Sequence, residues 1–183
     1  MNPLAAPYVE ARTRLDALVD GRTPEALNRK PAPDAWSAAE CVVHLNKIAK
    51  GYLPELEAAV AKGAPRGEGP FRYGWVARKF VAMMRPGTRP MPTATAMKPP
   101  AAEDRQSDID VDRAMQRFHA DVDRFVALIE QADGLDLAKI KVRSPFLTLL
   151  KLPIGAAFEA LGLHAVRHVA QAERAARAMP GPR

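Results

Sequence analysis

Ser37-Ala38-Ala39-Glu40-Cys41-Val42-Val43-His44-Leu45 opens with a helix start and runs on into a helical stripe, and the rest of the chain can be read outward from it. Serine followed three residues later by glutamate is a capping box, in which hydroxyl and carboxylate satisfy amides that the first helical turn leaves without partners. Cys41, Leu45, Ile48, Tyr52 and Leu56 then recur at intervals of three and four residues, which makes one apolar face. His44 lies three residues after Cys41 and four before Ile48, so it belongs to that face and points at the core.

Upstream, Leu4, Tyr8, Ala11, Leu15 and Leu18 predict an amphipathic helix ending near Gly21, after which Pro31 and Pro33 block helix continuation and leave a turn. Downstream, Val111, Met115, Phe118, Val122, Phe125 and Ile129 predict a third helix that stops before Asp133-Gly134. Phe158, Leu161, Ala165, His168, Ala172 and Ala175 share one face of a fourth. Between the second and third helices, Pro65, Pro70, Pro86, Pro90, Pro92, Pro99 and Pro100 punctuate residues 63–108, which therefore form a long connection and not one regular element. Inside it, Trp75, Val76, Phe80, Val81, Met83 and Met84 with Arg72, Arg78, Lys79 and Arg85 predict a short basic amphipathic helix. Its expected role is a lid held by Trp75 and Phe80, with a membrane-surface role as the lesser reading. A second irregular stretch, 134–155, precedes the last helix, and no strand pattern is long enough to propose a sheet. The expected fold is all-α: a single domain over 1–183, with four principal helices and a long connection.

Apolar residues make up 48% of the 183 and charged residues 26%, which suits a globular domain and argues against disorder. The lone cysteine, Cys41, can form no internal disulfide, and the N-terminal residues lack a signal-type apolar run, so a cytoplasmic location is expected. No stretch approaches the roughly 18 consecutive apolar residues of a membrane span. The formal charge of +6 comes from scattered Lys and Arg with no basic run interleaved with aromatics, so no specific nucleic-acid partner is expected.

His164 and His168, four apart in the last helix, project from one face about a turn apart and can share an ion. Alone, such a pair is a weak signal, because two core histidines satisfied by hydrogen bonds are the commoner case. With His44 inward on a facing helix, the three outline a metal site that leaves coordination positions open for water or substrate. Glu40, four residues before His44, is a weak catalytic candidate, as a base or an orienting partner, against its role in the cap. Cys41 reads as a small core residue, with a ligand or redox role as the alternative. Gln171 is placed to hydrogen-bond a ligand imidazole or bound water, Arg167 to make a structural ion pair, and His119 reads as a helix-surface histidine beside the apolar stripe.

Two segments together resemble the DinB-like superfamily of bacterial metal-binding four-helix bundles. Ala35-Trp36-Ser37-Ala38-Ala39-Glu40 followed by His44-Leu45 is similar to its "WSxxE...HL" segment, and His164-Ala165-Val166-Arg167-His168-Val169-Ala170-Gln171 to its "HxxRHxxQ" segment. The resemblance covers most of the chain. It implies that His44, His164 and His168 are the metal ligands, that the helices run in up-down-down-up order, that the ion is a divalent metal such as nickel or zinc, and that the protein is a homodimer. Relatives include thiol-dependent transferases and isomerases that use low-molecular-weight thiols. Two classes of function follow: a metal-dependent hydrolase or thiol-dependent transferase acting on a small-molecule substrate, or a non-catalytic metal- or ligand-binding bundle. No Ser-His-Asp or Gly-rich phosphate motif favours another chemistry. An open cavity beside the histidines, or its absence, separates the two.

Overall fold

The computed structural model describes residues 2–63, 65–88, 93, 95–100, 106–147 and 149–178; the remainder of the 63–108 connection lies outside the described residues. Helix α1 (Ala6–Val19) carries Pro7 in its first turn, where a missing amide leaves nothing unsatisfied, and ends just before Gly21 at φ 70°. Its apolar stripe is buried at Tyr8, Ala11, Leu15 and Leu18. Where the sequence shows only a turn, Thr23 caps one further turn, α2 (Pro24–Asn28), by accepting from the Ala26 amide.

Helix α3 (Ala38–Ala61) starts with the expected capping box: the Glu40 amide donates to Ser37 Oγ at 3.0 Å, and the Ser37 amide donates to Glu40 Oε2 at 2.7 Å. Helix α4 (Trp75–Met84) is the short basic element of the connection. Helix α5 (Val111–Gln131) is capped by Asp110, which accepts from the Arg113 amide, and α6 (Ile154–Arg177) is the last. Helix α3 packs on α5 and α6, and α1 packs on the other sides of the same two helices. Tyr8 sits at the centre, its ring stacked on Phe125 at 4.8 Å and its hydroxyl donating to the Phe158 carbonyl at 2.8 Å. Gly162 permits this approach, since a Cβ there would lie 3.0 Å from both Pro7 Cβ and Tyr8 Cε2. Among the described residues, no helix is long and apolar enough to cross a membrane.

The chain departs from the expected absence of strands. Residues β1 (Lys141–Arg143) and β2 (Lys151–Pro153) pair antiparallel, Val142 opposite Leu152. Three residues are too few to display a period, so the pairing is decided by what the strands cover: Val142 and Leu152 are buried, and β1 lies on α3 and α6.

The connection is tied down at both of its described ends. Helix α4 buries Ala77, Val81 and Met84 and packs on α6. Phe80 is half-buried as expected, but Trp75 is not an anchor: it is 66% exposed, with the Lys79 ammonium 5.0 Å from its ring centroid. Its position at the first residue of the helix puts it off the inward face of Ala77, Val81 and Met84. At the far end, the buried side chain of Asn28 donates to the carbonyls of Pro24 and Ile109 and accepts from the Ser107 hydroxyl and the Ile109 amide. Ser107 is also 2.9 Å from the capping hydroxyl of Ser37, so the connection returns to the start of α3 through a polar knot.

Candidate metal centre

Helices α3 and α6 pack against one another and bring His44 face to face with His164 and His168. The His164 and His168 Nε2 atoms are 3.1 Å apart, and those of His44 and His164 3.5 Å apart. One ligand nitrogen from each of the three rings lies within 4.8 Å of the others. Two nitrogens held on a tetrahedral ion at zinc-type bond lengths are separated by about 3.3 Å, so the observed distances bracket that value. Three lone pairs converging this closely repel unless a proton or a cation sits among them. The donor set fits a divalent ion.

The tautomer of His44 follows from its partner. Its Nδ1 lies 2.7 Å from the Met97 main-chain oxygen, in a 3-10 turn at Thr95–Met97. A carbonyl only accepts, so Nδ1 carries the hydrogen and the Nε2 lone pair faces the other two rings. Burial lowers the pKa of His44, with the Met97 contact opposing and Lys47 adding to the shift. Burial, then the charge of His44 and of Arg167, pushes His164 down to about 3. His168 is held well below its ordinary value by burial, by the other two rings and by Arg167. At neutral pH all three imidazoles are uncharged, the form that ligates metal. Trp36 closes the group from one side, its ring 4.9 Å from that of His44 and stacked on that of His168 at 5.8 Å.

The three histidines line a cavity of about 870 Å³, shared with Trp36, Phe80, Met84 and Met97. Among the described residues, the charged ones on its wall are Lys98, Arg167 and Arg174 against Asp34. Arg167 donates to the Met83 carbonyl at 2.9 Å and to Thr88 Oγ1 at 2.8 Å, so it fastens the C-terminal end of α4 to α6. Gln171 also lines the cavity beside His168, and its side chain interacts with that ring and opposes the downward shift of its pKa, although His168 Nδ1 makes no close hydrogen bond.

Other candidates are placed elsewhere. Glu40 is 1% exposed, occupied by the cap, with Lys30 Nζ 3.8 Å away, and it is not among the residues lining the cavity. Cys41 is a free buried thiol whose pKa is raised by burial and by Glu40, and it is not part of the histidine group. His119 pairs with Asp16 at 2.7 Å on the surface of α5. Met97 has no sequence signal, because its contribution is a main-chain oxygen. Trp36 lies within the quoted motif, yet only the packing of α3 on α6 gives its ring a role.

The model of the DinB superfamily matches residues 8–172, and the chain belongs to that superfamily. Among curated proteins and among solved structures, none matches the chain significantly.

Proposed function

We propose that this DinB superfamily protein is a metal-dependent enzyme acting on a small molecule, a hydrolase or a thiol-dependent transferase, with His44, His164 and His168 as ligands of one divalent ion. The observation that carries the reading is the convergence of three neutral imidazoles on the wall of a cavity of about 870 Å³. A metal that only stabilised the fold would be enclosed by four protein ligands. Among the described residues three are present, and the cavity gives a further ligand a way in. That favours catalysis over the alternative of a non-catalytic metal- or ligand-binding bundle.

A divalent ion at this position would supply Lewis acidity, favouring the anionic form of a thiol or of water at neutral pH. The chain's own residues do the rest. His44 presents Nε2 because the Met97 carbonyl holds its other nitrogen. Trp36 packs against two of the rings and helps to hold them in place. Lys98, Arg167 and Arg174 outweigh Asp34 on the wall and favour a substrate carrying negative charge, such as an anionic low-molecular-weight thiol. Phe80 and Met84 give the cavity an apolar side.

The same reading takes 1–183 as one domain, a four-helix bundle in up-down-down-up order, working as a cytoplasmic homodimer with nickel or zinc and without a nucleic-acid or membrane partner. The test is a panel of thiol-conjugation and hydrolysis substrates offered to metal-loaded protein, with and without chelator. Turnover should disappear on chelation, return with metal and be absent in His168→Ala. Turnover indifferent to chelator, or none with any substrate on fully loaded protein, turns the assignment to a binding protein.

A further inference from the structure

His164 also lines a second cavity of about 30 Å³, among residues of α3, α5 and α6. Asn46, Asp121 and His164 all line it, among apolar neighbours that include Leu45 and Phe118. Each of the three has one buried polar atom without a hydrogen-bond partner: Asn46 Oδ1, Asp121 Oδ1 and His164 Nδ1. Asp121 is 2% exposed.

Their orientations are determined by the groups behind them. Asn46 Nδ2 donates to the Ala114 carbonyl at 2.9 Å, so the amide cannot turn and Oδ1 is the atom left over. Arg117 Nε donates to Asp121 Oδ2 at 3.0 Å, while Arg124 Nη1 is 3.8 Å from Oδ1, too far for a hydrogen bond. The three residues that carry these atoms therefore line one space larger than the roughly 10–15 Å³ that one water needs.

We propose that a buried water bridges these atoms, accepting from Nδ1–H of His164 and donating to Oδ1 of Asp121 and of Asn46. One acceptor site and two donors of the water match one donor and two acceptors on the protein, so no polar group is left over. Asp121 and Asn46 are then positioning residues. They place the hydrogen of His164 on Nδ1 and turn the Nε2 lone pair toward His44 and His168, as the Met97 carbonyl does for His44. The inference rests on the metal reading only for its consequence, since the tautomer and the water belong to the metal-free protein as well.

Long-range 1H–15N correlation spectra of metal-free protein at neutral pH report the tautomer directly, and magnetisation exchange with water reports a long-lived buried molecule. His164 should be the Nδ1–H form, with a water cross-peak to the protons around it. Asp121→Asn, which offers the water a different donor and acceptor pattern, should shift the His164 nitrogens. It should also weaken nickel or zinc binding, measured by chelator competition, by roughly 10- to 100-fold. Asn46→Ala keeps the Asp121 ion pairs and serves as the second variant, with the same direction of change. An Nε2–H form of His164 in wild type, no slow water, or unchanged metal affinity in both folded variants overturns the proposal. Failure of wild type to bind any metal would remove the proposed function and leave the tautomer and water results to decide this inference alone.

Discussion

His44 Nδ1 lies 2.7 Å from the main-chain oxygen of Met97, 53 residues further along the chain. A residue of the long connection thus decides which nitrogen of a residue on α3 is free to bind, and the connection is part of the site as well as its cover.

Because that contact uses the backbone, the Met97 side chain is dispensable for it. Met97→Leu should keep metal content within about twofold of wild type, whereas His44→Ala should lower affinity by at least about tenfold. Elemental analysis of the purified variants checks both, and a metal-free Met97→Leu protein would show that the side chain, not the carbonyl, matters.

Removing one histidine leaves a two-ligand site. Metal retention should collapse in His164→Ala and stay unchanged in His119→Ala, whose ring is engaged with Asp16. Equal metal content in wild type and His164→Ala would remove the ligand assignment.

Metal-free protein should lose stability as pH falls through the histidine range. His164 ionises near 6.5 when unfolded and is pushed down to about 3 in the fold, and His44 and His168 shift the same way. Below 6.5 the unfolded chain takes up protons that the folded chain refuses, so stability is full above that value and declines toward 3. Urea unfolding between pH 7 and 5, above most carboxylate titration, isolates the effect. The slope should shrink in His164→Gln, and an unchanged slope would contradict the assigned shift.

Asn28, only 5% exposed, makes four side-chain hydrogen bonds, three of them to Ser107 and Ile109 at the end of the connection. Asn28→Ala should cost about 2–4 kcal/mol, and Ser37→Ala, which removes the helix cap and the contact with Ser107, about 1–2 kcal/mol. Denaturant midpoints measure both. A loss below about 0.5 kcal/mol in Asn28→Ala would mean that the knot forms without consequence for stability.

The amino-acid sequence by itself determined the four long helices and the inward position of His44. Both depend on residues within a few turns of one another: the Ser37–Glu40 box, the stripe from Cys41 to Leu56, and the i,i+4 spacing of His164 and His168. Sequence also located α4, though it assigned Trp75 to the wrong side of that helix. What only the tertiary structure decided involves partners far apart in the chain. The pairing of Val142 with Leu152 rests on a surface that α3 and α6 provide. The tautomer of His44 rests on a carbonyl, which every residue possesses and no pattern marks. Asn46 and Asp121 read in sequence as ordinary polar positions on two helices. Their chemistry emerges when α3, α5 and α6 close around a space of about 30 Å³, because a polar atom acquires a specific role once burial takes water's alternatives away.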